Sequence, residues 1–290
     1  MKSIVILYHA NCPDGFGAAW AAWKKFGNKA EYIPVNPETL PEKPLKNKIV
    51  YTLDMSFKAP VFRRLMKQNK SIVSLDHHKS RKEDMEKFPQ NVFDNDNSGA
   101  TIAWGYFHPG KKTPLFLKYL EDNDLWRFRL PYAKELSSVI FLLKFDFKDW
   151  SKFAARLENK KERKKIFEQA KNIFAYEQKI AASAVERAAL VRFEGYRTLA
   201  ANSAILESEI GHRLSKKLPP IGIIWRQRKS FINVSLRSNG KVDVSKLAQK
   251  YGGGGHKKAS GFRFKATGKF PWKPIKKKNE KIDYIYRRRR

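Results

Sequence analysis

Cysteine is nearly absent: Cys12 is the one thiol in 290 residues. A disulfide within the chain is therefore excluded, and so is a cysteine-rich zinc site. A reducing compartment, the cytoplasm, suits such a chain. Long apolar runs are missing as well. No stretch approaches the ~20 apolar residues of a membrane-spanning helix. The opening MKSIVILYHA has too short an apolar run for a signal peptide and reads as a buried strand. Negative charge is scarce, with 28 acidic against 60 basic residues and a formal net charge of +32. Such a charge creates a positive field that draws polyanions, nucleic acid first and an anionic membrane surface second. A general lysine richness unrelated to any ligand would give the same number, because net charge says little about activity. Glycine and proline are absent from residues 149–191. That polar segment reads as one or two connecting helices, with the Lys160–Lys165 run as a solvated face.

An apolar content of 42% supports an ordinary core, and the length suffices for two domains. Strands are expected at Ser3–Tyr8, Lys48–Leu53 and Ser71–Leu75, each a short apolar run rich in β-branched residues. Helices are expected at Phe16–Phe26, Phe57–Gln68, Ser98–Phe107 and from Leu115 toward Asp122, with Ser98 or Asn97 as an N-cap. Strands alternating with helices predict an α/β domain with a mostly parallel sheet covered on both faces. A second, smaller α/β pattern begins near Tyr196. It has strands at Thr198–Ala201, Ile221–Trp225 and Phe231–Leu236, helices at Ser203–Lys217 and Val244–Tyr251, and a closing strand at Phe262–Phe264. The expected divisions are 1–148, a helical connector 149–192, a second domain 193–270 and a basic tail 271–290.

Acids and histidines gather where those strands end. His9 and Asp14 follow the first strand, Asp54 the second, and Asp76, His77 and His78 the third, while Asp122 ends a helix. Loops at the carboxyl ends of parallel strands meet at one sheet edge, where open α/β folds bind ligands. Imidazole and carboxylate donors brought together there suit one or two divalent ions of the manganese type. Each residue alone has a plainer use: a histidine closing a strand, an aspartate capping a helix, a His-His pair on the surface. Their joint occurrence favours the metal centre.

At these residues the sequence resembles the DHH phosphoesterase family. VSLDHHKS carries the Asp76-His77-His78 triplet that names the family, and YHANCPDGFGAAWA is similar to its opening His-x-x-Asp-x-Asp-Gly motif. VYTLDMSF places Asp54 at the bridging aspartate, and YLEDNDLWRF offers Asp122, or else Asp124, as the last metal-binding aspartate. GGGGHKKASGF is similar to the Gly-Gly-Gly-His-x-x-Ala-x-Gly signature of the DHH-associated domain. The resemblance implies roles residue by residue. His9 and Asp54 would bind a first ion, and Asp14, Asp54, His77 and Asp122 a second. Asp76 would hold His77 or the strand edge by hydrogen bonding, and His78 would face the phosphate. The family usually carries an aspartate three residues after its first histidine, where this chain has Cys12. Either Cys12 is a small packed residue, or the first ion is held differently or more weakly, or the site uses one ion.

Gly253, Gly254 and Gly255 would let a ligand approach the backbone closely, with His256 and Arg237 supplying a donor and a fixed cation for phosphate. A helix C-cap and turn is the structural alternative. The resemblance implies that the second domain faces the metal site across a cleft. The reaction it implies is hydrolysis of phosphodiester or phosphomonoester bonds by a metal-bound hydroxide. The expected substrates are short oligonucleotides or nucleotides, with cyclic-dinucleotide phosphodiesterase or single-strand exonuclease as alternatives. A non-catalytic nucleic-acid-binding protein of the same fold is the rival class. In the tail, Lys276–Lys278 and Arg287–Arg290 interleave with Trp272, Tyr284 and Tyr286, which could stack on bases or form a solvated end.

Overall fold

A computed structural model describes residues 2–36, 40–41, 43–88 and 90–275. The chain divides into two compact units, residues 1–175 and 176–290. The first begins β1 (Ile4–His9), α1 (Pro13–Phe26), β2 (Ala30–Val35), β3 (Ile49–Leu53), α2 (Ala59–Gln68), β4 (Ser71–Asp76), α3 (Lys82–Met85) and β5 (Asn91–Phe93). The helices α4 (Gly99–Phe107), α5 (Leu115–Asp124), α6 (Ala133–Leu142) and α7 (Phe147–Glu158) follow. The long α8 (Lys160–Glu186) carries the chain across the division.

The first sheet is parallel throughout, in the order β2-β1-β3-β4-β5. Alternate residues of β1 feed two cores. Ile6 and Tyr8 join Phe16, Trp20, Phe116 and Trp150 on one face, and Val5 and Leu7 join Phe62, Leu65 and Ile72 on the other. Both faces are thus covered, which is why these strands read as continuous apolar runs. The edge strand β2 escaped the sequence reading because Pro34 breaks its pattern. A proline is tolerated there because an edge leaves one side of the ladder unpaired. The strand order reverses at β1 and β3, where the chain leaves β1 first toward β2 and later toward β3. A crevice forms at such a switch point, at the carboxyl ends of the strands.

The second unit holds β6 (Ala189–Phe193), β7 (Tyr196–Asn202), α9 (Glu207–Lys217), β8 (Ile221–Arg228), β9 (Phe231–Ser238), α10 (Val244–Gln249), β10 (Gly254–His256), β11 (Ala259–Lys265) and β12 (Lys273–Pro274). Its mixed sheet runs β10-β11-β9-β8-β7-β6-β12, antiparallel except for the β7–β8 pair. Helix α9 seals one face through Ile210 and Leu214 with Ala181, and α10 helps seal the other through Val244, Leu247 and Ala248. Trp272 is buried in that second core against Phe193, so it is no part of an exposed base-stacking arm. Residues 273–274 form β12 on β6. Lys276–Lys278, Tyr284, Tyr286 and Arg287–Arg290 lie outside the described residues. Among the described residues, no helix is long and apolar enough to cross a membrane.

Candidate functional site

The carboxyl ends of β1, β3 and β4 are where the acids and histidines meet. His9 ends β1, and Asn11 turns the chain through a left-handed conformation (φ 57°) so that Cys12 caps α1 and Asp14 lies in its first turn. A side chain at position 15 would put its Cβ 2.4 Å from the His9 carbonyl oxygen, so only glycine lets this turn close. Asp54 follows β3 in a left-handed conformation as well (φ 55°), held by its N–H donating to the Leu75 carbonyl at 2.9 Å. A non-glycine residue there is strained, and such strain persists where the surroundings over-determine it. Part of that determination comes from Gly99 at the start of α4, where a Cβ would lie 2.5 Å from Asp54 Cβ.

The donors form one connected cluster. Asp54 turns Oδ2 toward His9 Nδ1 at 3.2 Å and Oδ1 toward His77 Nε2 at 3.1 Å. His77 Nε2 also stands 3.6 Å from Asp124 Oδ2 and 4.0 Å from Asp14 Oδ2. Asp14 Oδ1 accepts the N–H of Ala100 at 3.2 Å, which places the carboxylate at the positive end of α4. Among the described residues, three sets of donors could hold an ion: His9, Cys12 and Asp54; Asp54, His77 and His78; and Asp14, His77 and Asp124, with all donor atoms of a set within 4.8 Å of one another.

The electrostatics suit a cation. Asp14 and Asp54 are 2% and 1% exposed, yet Asp14 Oδ2 accepts no hydrogen bond, and the nearest partner of Asp54 Oδ1 is the His77 ring at 3.1 Å. Buried carboxylate oxygens without donors are costly, and a cation is the natural relief. Burial, reinforced by the Asp54 and Asp124 charges, pushes the Asp14 carboxyl well above its ordinary range. Burial and the Asp54 charge push Asp124 up to about 6. Burial opposes charging of His77, but its contact with Asp54 and the surrounding carboxylates push it up to about 10. Asp54 moves the other way: burial would raise it, and His77 and His9 overcome that and hold it ionised.

Asp76 is fully buried and organises the histidine pair. Its Oδ1 accepts the N–H groups of His77 and His78 at 2.8 and 3.1 Å and lies 2.7 Å from His78 Nδ1. Its side chain thus holds the strand edge at His77, as expected, and the ring of His78 as well. Burial works against charging His78, and Asp76 more than offsets it, so the imidazole is raised above its ordinary value.

Asp122 does not join the cluster as expected. Its two carboxylate oxygens accept the backbone N–H groups of Arg129 and Leu130, each at 2.9 Å, and so fasten the loop that follows α5. Asp124 stands beside His77 in its place. The helical repeat explains the exchange. Leu117, Leu120 and Asp124 share one stripe of α5, and Leu117 and Leu120 pack over Gly17 of α1. Asp122 falls ~200° away from Asp124 around the helix. The repeat was present in the sequence, and weighing it would have favoured Asp124.

In the second unit, Arg237, Ala259 and His256 lie in register across β9, β11 and β10. Arg237 Nη2 donates to Ser208 Oγ at 2.8 Å and Nη1 to the Leu236 carbonyl at 3.0 Å. Burial lowers its pKa from the ordinary arginine value, partly offset by Glu207. Gly253 is structural, since a Cβ there would lie 2.1 Å from the Gly261 carbonyl. Gly255 adopts φ 136° and Gly254 borders open space, so at Gly254 the missing side chain leaves the backbone accessible.

Residues 198–272 match the DHHA1 domain family. Over 288 residues the chain is 31% identical to an uncharacterized protein of Acanthamoeba polyphaga mimivirus, covering 90% of this chain and 67% of that protein. It is 27% identical over 187 residues to oligoribonuclease NrnB of Bacillus subtilis, covering 56% of this chain and 42% of that protein. Among solved structures, the DHH domain of a member of the s1p family of ribosomal proteins matches with a TM-score of 0.59 at 17% identity, covering 90% of this chain and 82% of that one.

Proposed function

Because the chain belongs to the DHH family of phosphoesterases, and is a phosphoric ester hydrolase, we propose that it cleaves short oligonucleotides or nucleotides at a centre of one or two divalent ions, manganese foremost. The observation that carries this reading is the pair of buried carboxylates, Asp14 and Asp54, that converge on His77, with Asp14 Oδ2 accepting no hydrogen bond. His9, Asp14, Asp54, His77 and Asp124 would hold the metal. A divalent ion bound there would supply Lewis-acid polarisation of phosphate oxygens and activation of water. The protein's own groups do the rest. Asp76 fixes His78 through Nδ1 and raises its pKa, and the protonated ring would offer its other N–H to a phosphate oxygen or to the leaving oxygen. Arg237, His256 and the backbone at Gly253, Gly254 and Gly255 would bind phosphate groups of the substrate. The similarity to an oligoribonuclease favours short RNA among the substrates.

The test is turnover by chelator-stripped protein on a panel of short RNAs, longer single strands, linear and cyclic dinucleotides and 3′,5′-bisphosphonucleotides, with and without Mn²⁺. Hydrolysis restored by Mn²⁺ and strongest on two- to five-residue RNA is expected. Equal hydrolysis with chelator present would refute the metal dependence. Preference for a cyclic dinucleotide or a long strand would reassign the substrate. Binding without turnover on every substrate would make the protein a nucleic-acid binder.

A further inference from the structure

We infer that the centre is built for two unlike metals: His9, Cys12 and Asp54 form a thiolate position for a zinc-class ion, beside a hard, manganese-class position formed by Asp14, His77 and Asp124. The inference rests on the metal-centre reading above and deepens it by assigning the ion class of each position.

Three observations lead to it. The sulfur of Cys12, a ring nitrogen of His9 and a carboxylate oxygen of Asp54 lie within 4.8 Å of one another. Donors around one zinc ion, at ~2.0–2.3 Å each, stand somewhat closer together than that, so a small contraction completes the set. Asp54 presents a different oxygen to each side, Oδ2 to His9 and Oδ1 to His77, so it could contribute to both positions. Its neighbours on both sides are imidazoles, His9 and His77, which are themselves metal-ligating groups. The two donor sets differ in kind. Two carboxylates and one imidazole suit manganese or magnesium, whereas adding a thiolate favours zinc and other thiophilic ions. Zinc already outranks manganese at mixed nitrogen and oxygen sites, and sulfur widens the gap. Three protein donors also leave a zinc-class ion an open coordination position.

Cobalt(II) is the probe, because a thiolate bound to it gives a near-ultraviolet charge-transfer absorption that nitrogen and oxygen donors do not. Cys12 is the one cysteine of the chain, so any such band belongs to it. The full-length protein is stripped with chelator and titrated with Co²⁺. Separately it is equilibrated with equimolar Zn²⁺ and Mn²⁺, and its metal content is measured. The charge-transfer band and roughly one zinc with one manganese per chain are expected. Cys12→Ser should lose the band while still binding Co²⁺. Cys12→Asp should shift the zinc-over-manganese preference by at least about tenfold, the scale at which even an outer-shell change acts on metal affinity. Circular dichroism establishes that each variant is folded, and the wild-type spectrum decides the question even if one is not. Cobalt bound without the band, or an unchanged ion preference in folded Cys12→Asp, would overturn the inference and leave the metal centre standing. No cobalt bound at all would overturn the centre itself.

Discussion

Asp122 and Asp124 sit two residues apart on α5, and the structure gives them opposite tasks that a melting experiment separates. Replacing Asp122 by alanine removes two charge-assisted hydrogen bonds, to Arg129 N–H and Leu130 N–H, each 2.9 Å. Such bonds are worth ~1.5–3 kcal/mol each. Water can reach part of this loop, so a net loss of about 2–4 kcal/mol is expected. At ~2–4 °C per kcal/mol for a protein of this size, the melting temperature should fall by about 4–16 °C. Mn²⁺ should still bind and still stabilise the folded Asp122→Ala protein. Asp124→Asn should behave inversely. Burial and the neighbouring Asp54 push the Asp124 carboxyl up to about 6, so at pH 7.5 it is ionised at a cost to the metal-free fold that the unfolded chain does not carry. Removing that charge should leave the metal-free melting temperature unchanged or raise it. The stabilisation by Mn²⁺, ~2.7 kcal/mol at a hundredfold excess over Kd in the parent, should disappear. The assay is thermal melting at pH 7.5, with chelator and with saturating Mn²⁺, for the parent and both variants. A destabilised Asp124→Asn that keeps its Mn²⁺ response, together with a stable Asp122→Ala that loses it, would refute the assignment.

Asp54→Ala and His77→Ala should each reduce hydrolysis by at least about a hundredfold, with circular dichroism unchanged. Near-parental turnover in either folded variant would remove it from the centre. The metal-free protein should melt higher at pH 5 than at pH 7.5. Asp14 and Asp124 have folded pKa values above their unfolded ones, as has His77. Their contributions are therefore fullest at low pH and fade as pH rises, for Asp124 through about 6 and for His77 toward about 10. Adding Mn²⁺ should reverse the order, since protons compete for the same donors, and a flat melting profile with chelator would contradict the carboxylate cluster. Arg237→Ala or His256→Ala should raise KM for short oligonucleotides by about tenfold while leaving Mn²⁺ affinity unchanged. Steady-state kinetics with parental KM would make the glycine-rich strand purely structural.

The parallel sheet was legible because its central strands are buried on both faces, and apolar runs such as IVIL and SIVSL carry that burial openly. The strand ends were legible for the same reason, and with them the convergence of His9, Asp54, Asp76, His77 and His78. Three of the features that were not legible share a cause. Strand β2 hid behind Pro34, which only an edge position excuses. The choice between Asp122 and Asp124 needed the stripe made by Leu117 and Leu120 to be followed one turn further. Trp272 read as part of a basic arm because the residues after it are basic, although β12 pairs with β6 and draws it into a core. In each case the local composition pointed one way and a contact distant in sequence decided.

The glycines around the centre limit how it can be re-engineered. Gly15 is blocked by the His9 backbone and Gly99 by Asp54 itself, so a side chain at either place would collide with the groups it was meant to assist. A designer seeking to graft an extra donor onto the ion sites therefore cannot build inward from these walls. The remaining freedom lies in exchanging what is already there, one donor atom for another, and Cys12, whose sulfur lies among the donors of His9 and Asp54, is such a position. Saturation libraries should show Gly15 and Gly99 as intolerant of change as the aspartates, though neither carries a functional group. A catalogue of the centre drawn up from its chemistry alone would leave out two of the positions that define its shape.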